Sequence, residues 1–284
     1  MPALPAMPGS RTAFATVMAL LERRTGQEVA ANRAWRIEAA LKTVLREHDL
    51  CSIEQLVERL RSAASGPLAD AVVDAMLNQE TSFFRDAAVL DQVVEAVRAI
   101  HAENPDRKVR IWSAGCSMGQ EPLSLAMLFA EAERTSGLPG PEILATDVSA
   151  GAIARARAGR YSQFEIQRGL PVRRMVAWFE HVDGDWIVQP DLAKRVQFRR
   201  HNLVGDVPPI GRFDVVLCRN VLLYFPAKVR AEVFRKLRTG MREGGLLVLG
   251  AGETVIGQTD AFRPSPQFRG FYAAEPASIV PITR

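Results

Sequence analysis

Apolar residues in the first part of the chain recur at the three- and four-residue spacing of amphipathic helices. The stretch NRAWRIEAALKTVLREHDL places five apolar side chains near one helix face: Trp35, Ile37, Leu41, Val44 and Leu45. Ser52 with Gln55 three residues later is a capping-box pattern, and Gly66-Pro67 separates two further helices. The pattern predicts a small helical domain over residues 11–77, and we expect residues 1–10 to be a disordered leader.

From residue 78 onward, short apolar runs alternate with amphipathic helices. The run DAAVLDQVVEAVRAIHAE predicts a helix, and strands are predicted at KVRIWSAG, PEILATD, FDVVLCRN, GGLLVLG and FRGFYAAE. A helical pattern follows each of the first three strands. Such alternation is typical of an α/β fold, with a mainly parallel sheet covered by helices on both faces. We expect this domain to span residues 78–284, with its ligand site beyond the carboxyl ends of the strands.

A long interruption separates the second of these helices from the strand FDVVLCRN. It contains a tight-turn signal in DGDWIVQP, and the neighbouring VQFRRHNL has a strand pattern. Because an unstructured loop of this length is uncommon in a compact domain, we expect a small antiparallel β insertion at about residues 161–195.

Composition is that of an ordinary globular protein. Of the 284 residues, 48% are apolar and 24% are charged. There is no run of 18 uncharged apolar residues to span a membrane, and the N-terminus lacks a signal-peptide pattern. Three widely separated cysteines fit a reducing compartment, so we expect a cytoplasmic protein. The four histidines lack metal-ligand spacing, and no metal is predicted.

Positive charge is concentrated in one region of the chain. Residues 155–200 contain ten Lys/Arg and five Asp/Glu, whereas nine of each cancel in residues 1–77. A local basic patch implies an acidic partner through electrostatic steering. Nucleic acid, an acidic protein surface and a merely solvated face all fit this pattern.

The segment VRIWSAGCSMGQEP contains the first candidate ligand site. A strand ends at Ala114-Gly115, and a helix begins near Glu121-Pro122. The Gly-x-Gly-x-x-Gly spacing of dinucleotide sites is absent, and no lysine follows Gly119 as it would in a triphosphate-binding loop. Glu121 would repel phosphate and attract a cation. A positively charged nucleoside without phosphate fits better, and S-adenosylmethionine is such a molecule; the alternative is a turn that only packs.

Polar residues also follow the second and third strands. Asp147 ends ILATD, where a carboxylate can accept hydrogen bonds from ribose hydroxyls or, alternatively, cap the next helix. Arg219-Asn220 follow the apolar VVLC, where an arginine is costly unless it has a partner or reaches solvent. Tyr224 lies four residues after Asn220 and can face the same loop, or it can pack in the core with Phe225.

Six motifs in order resemble those of the chemotaxis receptor methyltransferases, the CheR family: NQETSFFRD, WSAGCSMGQEPLSLAM, LATDVS, RAGRYS, HNL and CRNVLLYF. The resemblance implies a class I Rossmann-like methyltransferase sheet. It also implies that the protein uses S-adenosylmethionine to methylate glutamate side chains of chemoreceptors. The implied cofactor-binding residues are Gln79, Thr81, Arg85, Ala114, Gly115, Glu121, Asp147, Asn202, Leu203, Arg219 and Asn220.

Two positions depart from the family pattern. Gln79 stands where the family has asparagine, with Asn78 one residue earlier, so either amide could contact the cofactor. Gln120 stands where many members have a second glutamate, which weakens any scheme that requires two carboxylates there.

The reaction implied is direct transfer of the methyl group from sulfonium to a glutamate oxygen. Because a carboxylate is deprotonated at neutral pH, no general base is needed, and alignment and exclusion of water are the catalytic tasks. Arg85 and Tyr224 are the candidate catalytic residues. Arg85 offers a planar charged fork to a carboxylate, unless it only pairs with Asp86 or another surface acid. Phe83 and Phe84 are expected to anchor the segment in the core.

The expected partners are the cytoplasmic helices of chemoreceptors. Four basic residues of the helical domain could face them or be merely solvated: Arg33, Arg36, Lys42 and Arg46. We expect a monomer that neither inserts into a membrane nor binds nucleic acid. A nucleic-acid methyltransferase is the main alternative, although no Asn/Asp-Pro-Pro-aromatic loop follows LCRN. A non-catalytic sensor of S-adenosylmethionine is the other.

Overall fold

Four helices precede residue 78 in the described part of the chain: α1 (Pro8–Thr25), α2 (Ala34–Glu47), α3 (Ile53–Ser62) and α4 (Pro67–Met76). The structure, a computed structural model, describes residues 8–28, 34–62, 66–209 and 211–276, with the backbone alone at 8–11 and 34–38. Helix α1 begins at Pro8, inside the predicted leader, because proline suits a first helical turn, where its missing N–H leaves no bond unmade. Residues 1–7 of that leader lie outside the described residues.

The apolar faces of α1 to α4 form a buried cluster of their own. Its least exposed side chains are Val17, Leu41, Leu56, Ala69 and Val72. Val44 of the predicted α2 face is also buried, whereas Trp35 and Ile37 belong to the stretch whose side chains are not described.

The predicted capping box at the start of α3 forms with one change of partner. Ser52 Oγ accepts a hydrogen bond from the backbone N–H of Gln55 at 3.3 Å. The Gln55 amide oxygen accepts from the N–H of Cys51 at 2.9 Å rather than from that of Ser52. Two backbone donors at the helix start are therefore satisfied, as the pattern requires.

The strands of the described residues form two sheets. In chain order they are β1 (Arg110–Ala114), β2 (Glu142–Asp147), β3 (Arg160–Ser162), β4 (Phe179–Val182), β5 (Asp185–Val188), β6 (Val196–Arg200), β7 (Phe213–Cys218), β8 (Met241–Leu249), β9 (Phe262–Pro264) and β10 (Phe271–Ala274). The large sheet has the order β6-β2-β1-β7-β8-β10-β9. Its first five strands are parallel, and β10 and β9 are antiparallel. The predicted α/β fold with a mainly parallel sheet is confirmed.

Helices cover both faces of the large sheet. In chain order the remaining helices are α5 (Ala87–Glu103), α6 (Gln120–Ser136), α7 (Ala150–Ala158), α8 (Gln163–Gln167), α9 (Val172–Trp178), α10 (Pro190–Ala193) and α11 (Ala227–Thr239). Successive residues of β1 point to opposite faces, as in any strand. Ile111 packs in the cluster with α5 and α6, and Trp112 packs in the cluster with α11.

The small sheet has the antiparallel order β3-β5-β4, and α8 and α9 lie between β3 and β4 in the chain. The predicted antiparallel insertion is therefore confirmed. The neighbouring run VQFRRHNL instead becomes β6, which pairs in parallel with β2 at the edge of the large sheet. Val196 is buried there and Phe198 is half-buried against the same core, which accounts for the pairing.

The order of the strands sets the place of a ligand site. The chain proceeds outward from β1 to β2 and β6, and β7 then pairs with the opposite side of β1. Connections at this switch point leave in opposite directions, which opens a crevice beyond the carboxyl ends of β1 and β7.

Phe83 anchors the segment that precedes α5. Its side chain is fully buried, with its ring edge-to-face against Tyr161 at 5.1 Å and Phe179 at 5.6 Å between ring centroids. The neighbouring Phe84 is buried as well, and the Arg174 guanidinium lies over its ring. The expectation that both rings fasten this segment to the core is confirmed.

Replacing Phe83 with alanine should lower the free energy of unfolding by about 3–5 kcal/mol, because it removes a buried ring and leaves a cavity. Urea unfolding followed by circular dichroism measures this change. The matched control is Phe164→Ala, because Phe164 is 74% exposed. The control should change stability by about 0.5 kcal/mol or less. Equal losses in the two variants would contradict the anchoring role of Phe83.

Candidate active site

A cavity lies beyond the carboxyl ends of β1, β2, β6 and β7. Ten of the eleven predicted cofactor-binding residues line it: Gln79, Thr81, Arg85, Gly115, Glu121, Asp147, Asn202, Leu203, Arg219 and Asn220. Tyr224, the second candidate catalytic residue, lines it as well. The structure does not place Ala114 in the wall, because its side chain is buried in the core cluster beneath. One crevice thus brings together motifs that are distant in the chain.

Gly115 lets the turn after β1 approach the loop after β7. Its φ of 84° lies in the left-handed region, and a Cβ at this position would stand 2.4 Å from Val221 Cγ2. The Gly115 N–H donates to the carbonyl of Thr146 at 2.8 Å, which joins the ends of β1 and β2. Glycine is required here for both conformation and space.

Asp147 offers its carboxylate to the cavity rather than to helix α7. The cap of α7 is Ser149, whose Oγ accepts from Ala152 N–H at 2.9 Å, so the capping alternative for Asp147 is wrong. Each Asp147 oxygen accepts one backbone N–H, from Ser149 at 2.9 Å and from Ser117 at 2.8 Å. Burial raises the pKa of the Asp147 carboxyl, and these N–H groups oppose that rise. Each oxygen keeps acceptor capacity for a further donor.

Arg219 is the centre of a buried ion-pair network. Its side chain is 2% exposed and donates to Glu121 Oε2 at 3.0 Å and to Asp86 Oδ2 at 2.5 Å. It also donates to the backbone carbonyl of Arg85 at 3.2 Å. Ser113 Oγ donates to the other oxygen of Glu121 at 2.8 Å. An arginine at this position was expected to need a partner, and it has two: the carboxylates of Glu121 and Asp86, which belong to two other segments.

The charges of the wall favour a cationic ligand. Three carboxylates face two guanidiniums among the lining residues: Glu80, Glu121 and Asp147 against Arg85 and Arg219. His201 also lines the wall, and burial lowers the pKa of its imidazole, so this ring adds no positive charge at pH 7. Among the described residues, no lysine lines this wall. A phosphate would meet net negative charge here, and a sulfonium would not.

The motif NQETSFFRD carries two side-chain amides, Asn78 and Gln79, which contact different parts of the crevice. The Gln79 side chain donates to Ser149 Oγ at 3.0 Å, on the side of Asp147. The Asn78 side chain donates to the hydroxyl of Tyr224. Both residues line the cavity. Gln79 therefore contacts the segment that follows β2, and Asn78 contacts the loop that follows β7.

Arg85 and Tyr224 both line the cavity, and each keeps a hydrogen-bond donor available for a ligand. The Arg85 guanidinium donates to the carbonyl of Glu80 at 3.3 Å, and no carboxylate of the described residues pairs with it. Asp86 pairs with Arg219 instead, so the alternative in which Arg85 is occupied by Asp86 is wrong. Tyr224 ends the 3₁₀ helix Leu222–Tyr224 and is half-buried. Its neighbour Phe225 also touches the cavity but is buried.

The end of α1 and the loop after it supply part of the wall, which the sequence did not predict. Thr25 and Gln27 line the cavity, and the N–H of Glu28 donates to the backbone carbonyl of Tyr224 at 3.1 Å. Gly26 has a φ of 73°, and a Cβ there would stand 2.8 Å from Val204 Cγ2. A glycine directly after a predicted helix is an ordinary stop signal, so the sequence did not distinguish this close approach.

Asn202 contributes to this junction more than to the cavity. Its amide nitrogen donates to the carbonyl of Arg24 at 2.8 Å, and its amide oxygen accepts from Val204 N–H at 3.0 Å. Its side chain therefore joins the end of β6 to the end of α1. The adjacent Leu203 is buried and gives the wall an apolar surface.

Comparison with known proteins agrees with this geometry. The family model described as CheR methyltransferase, SAM binding domain, matches residues 79–271. Chemotaxis protein methyltransferase Cher2 of Pseudomonas putida is 33% identical, over 88% of this chain and 93% of that protein. Chemotaxis protein methyltransferase 1 of Pseudomonas aeruginosa is 35% identical, over 90% of this chain and 95% of that protein. Chemotaxis protein methyltransferase 1 of Vibrio cholerae is 34% identical, over 85% and 89%.

These matches cover well over half of the chain and confirm the resemblance of the six sequence motifs. The region matched by the family model includes the segment that Phe83 anchors and most of the crevice wall, although Thr25, Gln27, Leu77 and Asn78 precede it. The chain belongs to the CheR methyltransferase family and contains its S-adenosylmethionine-binding domain.

Proposed function

We propose that this protein transfers a methyl group from S-adenosylmethionine to glutamate side chains of chemoreceptors, forming methyl esters for chemosensory adaptation. The observation that carries the proposal is the pair Arg85 and Tyr224, which line one cavity together with Asp147. The names of the relatives, chemotaxis protein methyltransferases, support the choice of substrate.

The residues of the crevice fit the cofactor. Its wall has more carboxylates than guanidiniums, a glycine at the closest approach of two loops, and an apolar surface at Leu203. Asp147 would accept hydrogen bonds from the ribose hydroxyls, and Gln79 and Thr81 would hold the polar end. When bound, S-adenosylmethionine supplies an electrophilic methyl group on a sulfonium.

Arg85 is the group that binds the acceptor carboxylate. Arg219 is closer to the core, but Glu121 and Asp86 already balance its charge. Arg85 has only a carbonyl partner within the described chain, so its fork remains available for two parallel bonds to a glutamate. Such a clamp orients one carboxylate oxygen toward the methyl group.

Tyr224 supplies the second orienting group. Its hydroxyl oxygen accepts from the Asn78 amide, which leaves the hydroxyl hydrogen for donation to the acceptor glutamate. No group of the chain needs to remove a proton, because the nucleophile is already a carboxylate. The buried Leu90 and Phe225 in the wall help to keep water away.

The basic segment at residues 155–200 is mostly occupied by internal ion pairs. Six of its arginines pair with carboxylates: Arg155, Arg160, Arg168, Arg174, Arg195 and Arg200. Four of those carboxylates lie outside the segment, at Glu80, Glu131, Glu133 and Asp70. The local surplus of charge is therefore largely balanced within the fold, which argues against a nucleic-acid substrate.

Residues 11–77 act in this proposal as a receptor-docking domain, and residues 78–284 act as the transfer domain. The buried cluster of α1 to α4 supports this division. Lys42 and Arg46 are exposed on α2, where acidic receptor helices could reach them. Arg33 lies outside the described residues, and only the backbone of Arg36 is described. A cytoplasmic location also belongs to the proposal; within the described ranges, no helix is long and apolar enough to cross a membrane.

Asp147→Asn should weaken binding of S-adenosylhomocysteine by more than about tenfold, because hydrogen bonds to a charged acceptor are worth roughly 1.5–3 kcal/mol each. Calorimetric titration measures this affinity. The matched control is Asp191→Asn, since the Asp191 side chain is 88% exposed, and it should bind normally. Burial raises the pKa of Asp147, so the wild-type affinity should fall with decreasing pH, beginning above the usual range for aspartate. A pH profile unchanged in Asp147→Asn would refute the role.

Arg85→Ala should reduce methyl transfer by at least about 100-fold, and Tyr224→Phe by about 100-fold, the usual loss when one orienting donor is removed. Labelled methyl transfer to receptor fragments gives the rates, and base lability identifies the ester. Arg173→Ala is the control for Arg85, because Arg173 is exposed on α9. Each variant should keep the wild-type unfolding midpoint. Full activity of Arg85→Ala would show that another group binds the acceptor.

Raising the salt concentration should lower kcat/KM for receptor fragments, because exposed charges are screened over about 10 Å at 0.1 M ionic strength. The double variant Lys42→Gln with Arg46→Gln should show a smaller salt dependence. A matched double variant of exposed arginines on the transfer domain, Arg235→Gln with Arg269→Gln, should retain the wild-type dependence. Identical slopes in all three proteins would remove α2 from the docking surface.

A further inference from the structure

The loop after β7 carries several residues of the site without the support of regular structure. Four residues of this loop line the cavity: Arg219, Asn220, Val221 and Tyr224. Only the last residues of the loop, Leu222–Tyr224, form a 3₁₀ turn. Asn220 adopts a φ of 59°, which is uncommon for a residue other than glycine. The backbone N–H groups at the start of the loop therefore need acceptors from elsewhere in the chain.

One carboxylate, that of Glu253, accepts all of them. Its Oε2 accepts from the N–H of Asn220 at 2.7 Å, and its Oε1 accepts from Val221 at 3.0 Å, Leu222 at 2.8 Å and Leu223 at 3.3 Å. A fifth donor, Gly250 N–H, reaches Oε2 at 2.8 Å. Glu253 lies on the loop after β8, so this side chain joins the carboxyl ends of two adjacent strands.

We propose that Glu253 is a positioning residue of the transfer site, which holds the loop from Arg219 to Tyr224 in its working shape. The inference rests on the proposed function for the role of Tyr224. Successive N–H groups that converge in this way form an anion-binding concavity, and here the anion is part of the chain. Glu253 is not among the residues that line the cavity, so its effect on the site is through the loop.

Gly250 lets the turn that carries Glu253 approach the loop after β7 closely. A Cβ at residue 250 would stand 2.7 Å from the Asn220 side-chain nitrogen and 2.9 Å from the Asn220 backbone nitrogen. Glu253 N–H also donates to the Gly250 carbonyl at 2.9 Å, which closes a tight turn. The turn therefore brings the carboxylate within reach of both loops at once.

The arrangement requires a carboxylate rather than an amide. Both oxygens of Glu253 face N–H donors, and donors surround each of them. A glutamine of the same shape would turn its NH₂ group toward donors on one side, leaving those N–H groups without an acceptor. The negative charge of Glu253 therefore contributes to holding the loop, in addition to the space that its side chain fills.

Formate rescue of Glu253→Ala tests the proposal. Removing the side chain leaves a gap of carboxylate size with its N–H groups still in the loop. We expect at least a tenfold loss of kcat and a loss of affinity for S-adenosylhomocysteine, with both partly restored by sodium formate but not by sodium chloride of equal ionic strength. Glu243→Ala is the control, because Glu243 is exposed on β8, and it should behave like the wild type with and without formate.

Glu253→Gln supplies the second arm. It fills the same space, so we expect a comparable loss of kcat that formate does not restore. Wild-type activity of Glu253→Gln, or the absence of any formate effect on Glu253→Ala, would overturn the proposal. Hydrogen exchange on the unmodified protein gives a third arm, because the amides of residues 220–223 should be protected. Rapid exchange of these amides would overturn the proposal as well.

The affinity and exchange measurements also separate this inference from the proposed function. They report the shape of the loop whether or not a chemoreceptor is the acceptor. Absence of methyl transfer by the wild type would count against the proposed function, whereas normal cofactor affinity in Glu253→Ala would count against the role of Glu253.

Discussion

The buried guanidinium of Arg219 sets the arrangement of the whole crevice. A charge taken out of water is costly unless ion pairs and hydrogen bonds surround it, and removing one partner of such a group typically costs about 3–5 kcal/mol. Arg219 finds Glu121 at the start of α6 and Asp86 just before α5, so three separate segments meet at one side chain. The end of β7, the glycine turn after β1 and the segment that Phe83 anchors are held together by this requirement.

That network also decides which groups remain for chemistry. Glu121 and Asp86 balance Arg219, so none of these three charges is free to bind an acceptor. Arg85 and Asp147 remain available in the cavity wall, one cationic and one anionic. Such a site suits a nucleoside whose hydroxyl groups bind Asp147 and a substrate carboxylate that binds Arg85. The proposed chemistry follows from what the ion pairs leave unoccupied.

The sequence predicted what depends on local periodicity and little of what depends on distant pairing. Alternating strands and helices located the sheet, and the burial of Phe83 and Phe84 followed from their place before an amphipathic helix. The need of Arg219 for a partner was evident, but its partners lie 98 and 133 residues away, which no local pattern encodes. For the same reason Gln27 and Glu253 were missed. Ala114 was placed in the wall because it ends a strand, but its side chain packs into the core beneath the turn.

Tyr224 shows why these long-range bonds matter for a reaction without a general base. If the enzyme only aligns two reactants, the rate depends on how firmly its orienting groups are held, and loops are usually the mobile parts of a fold. The loop that carries Tyr224 is bound from three directions. Glu253 accepts its first N–H groups, Glu28 donates to the Tyr224 carbonyl, and Asn78 donates to the Tyr224 hydroxyl. Three separate segments therefore each restrain this loop: the segment after α1, the motif NQETSFFRD and the turn after β8. Loss of any one of them should misalign the same hydroxyl, although only Asn78 touches it.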